Sequence, residues 1–236
     1  MSEQDAAVLD IVLWGASQVG KSSLLAAYLC RYRPAWLDMN APETHETLDL
    51  LSNIWNALRE NRLPMATLTS ASVYRVKHKD GSLISFRDIV GGNAADLAQH
   101  KEDAEALRRA RARIVLLQWP GQHTVSDIIA AETALRYADD RPLIIVITKV
   151  ECYLTQEKLA LFSLNPVGVA EELDLPPDFI ELLSSVSPSD LIPVSVYGYS
   201  NGYPAHYRDE FGRLVPRFIK PHNVALPFER ALESLI

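Results

Sequence analysis

The stretch Gly15-Ala16-Ser17-Gln18-Val19-Gly20-Lys21-Ser22 sets two glycines and a Lys-Ser pair at the spacing of a loop that wraps phosphate. Successive backbone N–H groups of such a loop curl around an anion, and the positive end of the following helix adds to the attraction. Gly15 and Gly20 allow backbone conformations and close approaches that a side chain would obstruct. Lys21 supplies a point charge for terminal phosphates, and the Ser22 hydroxyl is a hard ligand for Mg²⁺. The loop lies between the apolar run Leu9–Trp14 and an apolar-periodic stretch starting at Lys21, which is the strand-loop-helix context this chemistry requires. A chance match in an ordinary strand-turn-helix unit is the competing reading. The loop is expected to hold the phosphates of a nucleotide.

Further along, Arg87-Asp88-Ile89-Val90-Gly91-Gly92 places an acid three residues before a glycine. An acid at a strand end can take Mg²⁺ through a bound water, and a bare glycine N–H nearby can sense a terminal phosphate. The spacing is weak alone and gains weight from following the phosphate loop.

Positioning these groups requires a sheet. Apolar runs at Leu9–Trp14, Ile114–Gln118, Leu143–Thr148 and Leu191–Ser195 read as buried strands. Helical periodicity separates them over Lys21–Cys30, Ala94–Arg111, Thr124–Tyr137, Cys152–Phe162 and Pro227–Leu235. Such alternation predicts an α/β fold with a parallel sheet covered on both faces. One pair of strands departs from it, because Asp80-Gly81 joins two alternating runs between Ser72 and Val90 and so predicts an antiparallel hairpin. A three-residue loop, Lys79-Asp80-Gly81, with Gly81 left-handed, sets Val76 opposite Ile84 and Tyr74 opposite Phe86. A two-residue loop would pair Val76 with Ser85 and split the apolar sets between faces, so the longer loop is expected. Two insertions interrupt the pattern. In one, about 40–64, Leu48, Leu51, Ile54, Trp55 and Leu58 follow helical spacing until Pro64. The other, about 197–222, holds Tyr197, Tyr199, Tyr203, Tyr207, Phe211 and Phe218; it reads first as a compact self-packed loop and second as a partner surface.

Phosphate loop, antiparallel hairpin and Asp-x-x-Gly, in that order, resemble the Ras-like and translation-factor class of P-loop GTPases over nearly the whole chain, Leu9–Ile236. The resemblance implies a single domain over 1–236 with a three-layer α/β/α P-loop NTPase fold, its mostly parallel sheet carrying one antiparallel edge strand. It continues at Thr148-Lys149-Val150-Glu151, the place of that family's base-recognition motif, in which the lysine packs along the base and the acid accepts from guanine's ring nitrogen and exocyclic amine. Here the acid is Glu151, one methylene longer than the usual aspartate, so its carboxylate must retract or the base must shift. Ser195 and Val196 stand where a backbone N–H meets the guanine oxygen. Thr67, or alternatively Thr69, stands where a switch-loop threonine closes on Mg²⁺ and the terminal phosphate. The implied catalytic residues are Lys21, Thr67 and Gly91, and the implied metal ligands are Ser22, Thr67 and Asp88. The implied nucleotide contacts are Gly15, Ser17, Gln18, Val19, Gly20, Lys21, Ser22, Ser23, Thr148, Lys149, Glu151, Ser195 and Val196. More loosely, Pro64-x-x-Thr67 and the closing segment Pro221–Ile236 resemble bacterial GTPase domains of conflict and signalling systems.

What this implies is Mg²⁺-dependent binding of GTP and GDP and slow GTP hydrolysis, working as a molecular switch read by a protein effector or activator. Gly92 stands where many members carry a water-positioning glutamine, which leaves Asn93, Gln18 or a partner protein to place the water. Arg59, Arg62 and Arg75 flank the switch loop as internal arginine fingers or as solvated charge, the latter being preferred. Two other classes stay open: a nucleotide-dependent scaffold that barely turns over, and a P-loop ATPase or small-molecule kinase, against which the antiparallel hairpin argues.

The cluster Arg108, Arg109, Arg111 and Arg113 closes a helix whose start is acidic, and that polarity complements the helix dipole. A net charge of −7 and a pI near 5.4 argue against nucleic acid or an anionic membrane as the main partner. With no run of eighteen apolar residues and no signal-like N-terminus, a cytoplasmic protein is expected. Cys30 and Cys152 read as free thiols, and the scattered histidines lack ligand spacing, so no metal site made of protein side chains alone is expected.

Overall fold

The structure, a computed structural model, describes residues 8–16, 18–60, 72–89, 101–119, 124–137, 141–200, 203–204, 206–208, 214–216, 221–233 and 235. Six strands, β1 (Val8–Trp14), β2 (Ser72–Lys77), β3 (Leu83–Asp88), β4 (Ala112–Gln118), β5 (Leu143–Thr148) and β6 (Leu191–Pro193), form one sheet in the order β2-β3-β1-β4-β5-β6. Every pairing is parallel except β2 with β3, so the sheet carries one antiparallel strand at its edge. The last strand ends at Pro193, two residues before the expected boundary.

Alternate residues of each strand face opposite layers. Ile11, Leu13, Ile114 and Leu116 pack with α1 (Lys21–Ala26), α2 (Pro42–Arg59) and α8 (Leu226–Glu233). Val12, Trp14, Val115 and Leu117 pack on the other face with the helical segments between Lys101 and Ser185. There lie α3 (Lys101–Arg109), α4 (Thr124–Tyr137), α5 (Gln156–Leu164), α6 (Pro166–Glu172) and α7 (Pro177–Ser185). The result is three layers, α/β/α. No helix among the described residues is long and apolar enough to cross a membrane.

The hairpin has the expected register, with Val76 opposite Ile84 and Tyr74 opposite Phe86. Gly81 has φ +96°, the left-handed conformation that its turn demands and that a side chain would strain. Asp80 braces the turn by accepting from the Ser82 N–H at 2.8 Å and its hydroxyl at 2.6 Å.

Several helices differ from expectation. The first continues from α1 as a π-helical segment, Ala27–Tyr32, rather than ending at Cys30. In place of a helix from Cys152, a 3-10 turn at Val150–Cys152 leads to Thr155, whose side chain accepts from the Lys158 N–H and starts α5 at Gln156. Helices α6 and α7 were not anticipated; each opens with proline at its first position, and Asn165 caps the former by accepting from the Gly168 N–H. Of the expected helix Ala94–Arg111, the part up to residue 100 lies outside the described residues. Its C-terminus is capped by arginines: buried Arg113 donates to Leu107 O at 2.8 Å and Arg108 O at 3.2 Å, and Arg141 to Ala110 O at 2.9 Å. Of the arginine cluster, Arg113 thus bonds the last carbonyls directly, while Arg108 and Arg109 pair with Glu105 one turn back.

The inserted helix α2 has a role that periodicity did not reveal. Thr47 Oγ1 donates to Arg75 O at 2.7 Å and accepts from the Arg75 N–H at 3.0 Å, while Thr44 Oγ1 accepts from the Lys77 N–H at 3.0 Å. The backbone of Trp36 and Asp38 pairs with Lys79 and Lys77. The open side of β2 is thereby occupied by the chain itself, which removes a template for edge pairing. Replacing Thr47 by Val is expected to leave both Arg75 backbone groups without this partner and to cost about 2 kcal/mol, or a Tm drop of about 4–8 °C by calorimetry. An unchanged Tm would show that water serves the edge equally well.

Candidate phosphate and base site

All strands but β2 deliver their carboxyl ends to one rim of the sheet, and β1 lies where the chain's path diverges toward β3 on one side and β4 on the other. Open α/β sheets place ligand crevices at such points. From β1 the chain turns at Gly15, whose φ is +153° and where an added Cβ would stand 2.4 Å from Leu116 O on β4. Glycine is required here by the neighbouring strand as much as by any ligand. Gln18 holds the loop's tip at φ +64°, a left-handed conformation costing a non-glycine residue about 1 kcal/mol. Gly20 is the N-cap of α1.

Lys21 is only 7% exposed, and its ammonium donates to Gly15 O at 3.0 Å and Ala16 O at 3.2 Å. It lies 3.9 Å from Asp88 Oδ1, while the Ser22 hydroxyl donates to Asp88 Oδ2 at 2.5 Å. Asp88 ends β3 opposite Leu13 of β1, so strand register carries the acid to the foot of the loop. Burial pushes its carboxyl upward, and the Lys21 charge and Ser22 hydroxyl pull it back down. The geometry thus joins a hydroxyl, a carboxylate and an ammonium from two segments 66 residues apart in sequence. Among the described residues no group of three or more His, Cys, Asp or Glu could hold a metal ion. A hydroxyl and one carboxylate suit Mg²⁺, which keeps several waters and takes other ligands from phosphate.

Along the rim, Thr148 Oγ1 donates to Val19 O at 2.8 Å and to Leu117 O at 3.2 Å, binding the end of β5 to the loop between β1 and α1. Lys149 follows in a left-handed conformation, φ +58°, and its ammonium donates to Gln118 Oε1 at 2.7 Å. Glu151 is 1% exposed. The backbone N–H groups of Glu151 and Tyr197, the Ser195 hydroxyl and the Lys149 charge each favour its ionised form. Its Oε2 has no hydrogen-bond partner among the described residues. Burial outweighs those contacts and pushes the carboxyl from its ordinary 4.5 up to about 7.

Ser195 is bridged to His222. Its backbone N–H donates to His222 O at 3.2 Å and its carbonyl accepts from the His222 N–H at 2.8 Å. That amide is committed to an antiparallel bridge, and the Ser195 hydroxyl accepts from the Gly198 N–H at 2.6 Å. Val196 is half-buried beside it. The bridge, together with Asn223 Nδ2 donating to Pro193 O at 3.2 Å, clasps the two ends of the aromatic insertion at this rim. Within the insertion the backbone forms hairpins, β7 (Tyr199–Ser200) with β8 (Tyr203–Pro204) and β9 (His206–Arg208) with β10 (Leu214–Pro216).

Ser17, Thr67, Thr69, Gly91, Gly92, Asn93 and Arg62 lie outside the described residues. Ser23 is half-buried on the first turn of α1. Arg59 is exposed at the last turn of α2. Arg75 is exposed and pairs with Ser85, roughly 10 Å back along the strand from the register of Asp88. Sequence reasoning passed over Gln118; its only signal was an amide ending an apolar strand run. No protein-family model matches the chain, and comparison with curated protein sequences finds no match.

Proposed function

We propose that the chain binds a guanine nucleotide with Mg²⁺ at the rim of the sheet and hydrolyses GTP slowly, its nucleotide state being read by a protein partner. The observation that carries this reading is the convergence of Lys21, Ser22 and Asp88 beneath a loop whose backbone turns left-handed at Gln18. Lys21 is poised to exchange its carbonyl contacts for phosphate oxygens, and Ser22 and Asp88 are the residues that would hold Mg²⁺, Asp88 through water. Mg²⁺ when bound would neutralise charge on the terminal phosphates.

In hydrolysis a water oxygen attacks the terminal phosphorus in line as the bond to the bridging oxygen breaks. Lys21 and the loop amides then take charge developing on the oxygens they contact. Preference for guanine is supported by Glu151, whose unpartnered oxygen is an acceptor suited to a ring N–H and exocyclic amine, a donor pair that adenine lacks. Slow turnover is supported by Gly92, which offers no side chain to orient water.

A thermal-shift comparison tests the assignment. GTP and GDP are expected to raise Tm, by more with Mg²⁺ than with EDTA, and ATP at equal concentration to raise it far less. A clear preference for ATP would overturn the base assignment, and indifference to every nucleotide would overturn the whole.

A further inference from the structure

We propose that Gln118 is a positioning residue for the nucleobase, acting by holding the ammonium of Lys149; the inference rests on the nucleotide-binding reading above. Gln118 and Thr148 are paired at the ends of neighbouring parallel strands, so Lys149 leaves β5 one residue beyond the end of β4. Its left-handed backbone is accompanied by a 2.7 Å bond from Nζ to Gln118 Oε1, and both side chains are part-buried. Thr148 pins the same turn to Val19 O of the phosphate loop. A lysine has four side-chain torsions to immobilise, and ordering it costs binding free energy if it occurs only when ligand arrives. Gln118 arranges that in advance. The bond anchors the Lys149 ammonium at the end of β4, and the methylene stem behind it is the part of a lysine that packs on a flat ring.

Gln118 on this account touches no phosphate. Its loss should weaken ligands that carry a base and spare those that do not. The test compares Mg²⁺-GTP and Mg²⁺-GDP with Mg²⁺-tripolyphosphate by calorimetric titration of the full chain. Gln118→Leu is expected to weaken both nucleotides by about fivefold to tenfold and to leave tripolyphosphate within about twofold. Gln118→Glu, which retains the acceptor, should recover most of the loss, and in a Lys149→Met background Gln118→Leu should have no further effect. Equal weakening of nucleotide and tripolyphosphate, an additive double variant, or unaltered nucleotide affinity in Gln118→Leu would each overturn the role. Wild-type chain that binds tripolyphosphate but no guanine nucleotide would take down the base reading and this inference with it.

Discussion

Lys21→Met is expected to lower Mg²⁺-dependent GTP affinity by about 100-fold or more and to destabilise the nucleotide-free chain by about 3 kcal/mol. Both effects come from one geometry. The ammonium lies 3.9 Å from Asp88 Oδ1 at 7% exposure, so its removal takes away a phosphate ligand and strands a buried carboxylate at once. The two consequences separate in the double variant Lys21→Met/Asp88→Asn. With the acid neutralised, most of the lost stability should return, because no charge remains to be desolvated; nucleotide affinity should not, because neither the phosphate nor the metal contact has been restored. Urea unfolding and calorimetric titration of the same samples read the two quantities independently. A double variant whose Mg²⁺-dependent affinity equals that of the wild type would remove the basis of the proposed function, whatever its stability.

The second large effect concerns Glu151. Its carboxyl is raised from 4.5 to about 7 in the fold, so between those values the folded chain binds more protons than the unfolded one. Stability contributed by this group is accordingly present at low pH, declines as pH rises through that interval, and is fully lost above 7, a difference of about 3 kcal/mol. Glu151→Gln removes the titration. At pH 8 the nucleotide-free variant is expected to be more stable than wild type by about 2 kcal/mol, with a Tm higher by about 4–8 °C. At pH 5 the gap should close to below about 1 kcal/mol.

Ligand binding should change in the opposite sense. Guanine's donors require the ionised carboxylate, so wild-type affinity for GTP should fall about fivefold from pH 7, where half of the group is ionised, to pH 6, where only about a tenth is. Glu151→Gln should bind GTP about 100-fold more weakly and without that dependence. Around the carboxylate lie Lys149, Ser195 and Tyr197, and burial raises the phenols of Tyr197 and Tyr199 above their ordinary value. His222 bridges Ser195 through backbone alone, and burial lowers its pKa. A variant that matches wild type in Tm at pH 8 and retains GTP affinity would show that this acid neither suffers burial nor selects a base.

How much of this was visible beforehand depended on the range of the interactions involved. The strand-loop-helix turn from Trp14 to Lys21 was legible because every feature it needs is local: glycines at fixed positions, a lysine and a serine at the helix start, and an apolar strand immediately before. The hairpin register was equally legible, since a one-residue slip would have thrown Tyr74 and Val76 onto the wrong face. The amphipathic helix Pro42–Arg59 could be read from its spacing, but not that its Thr44 and Thr47 would close the edge of β2. Threonine on the inner face of a helix has many possible partners, and periodicity does not choose among them. Helices α6 and α7 were missed because they are short and their starts are carried by Asn165-Pro166 and Pro177, which also read as turns.

By itself, then, the amino-acid sequence determined the strand order of chemistry along the chain, the turn at Gly81, and the residue types that meet at the rim. Tertiary structure alone decided that the Ser195 amide is committed to His222, that Glu151 is buried with one oxygen unpartnered among the described residues, and that Gln118 holds Lys149. Each of those outcomes is set by which strand ends lie side by side. Parallel strands acquire their neighbours through crossovers tens of residues long, so the contacts at their carboxyl ends join positions that no local pattern links.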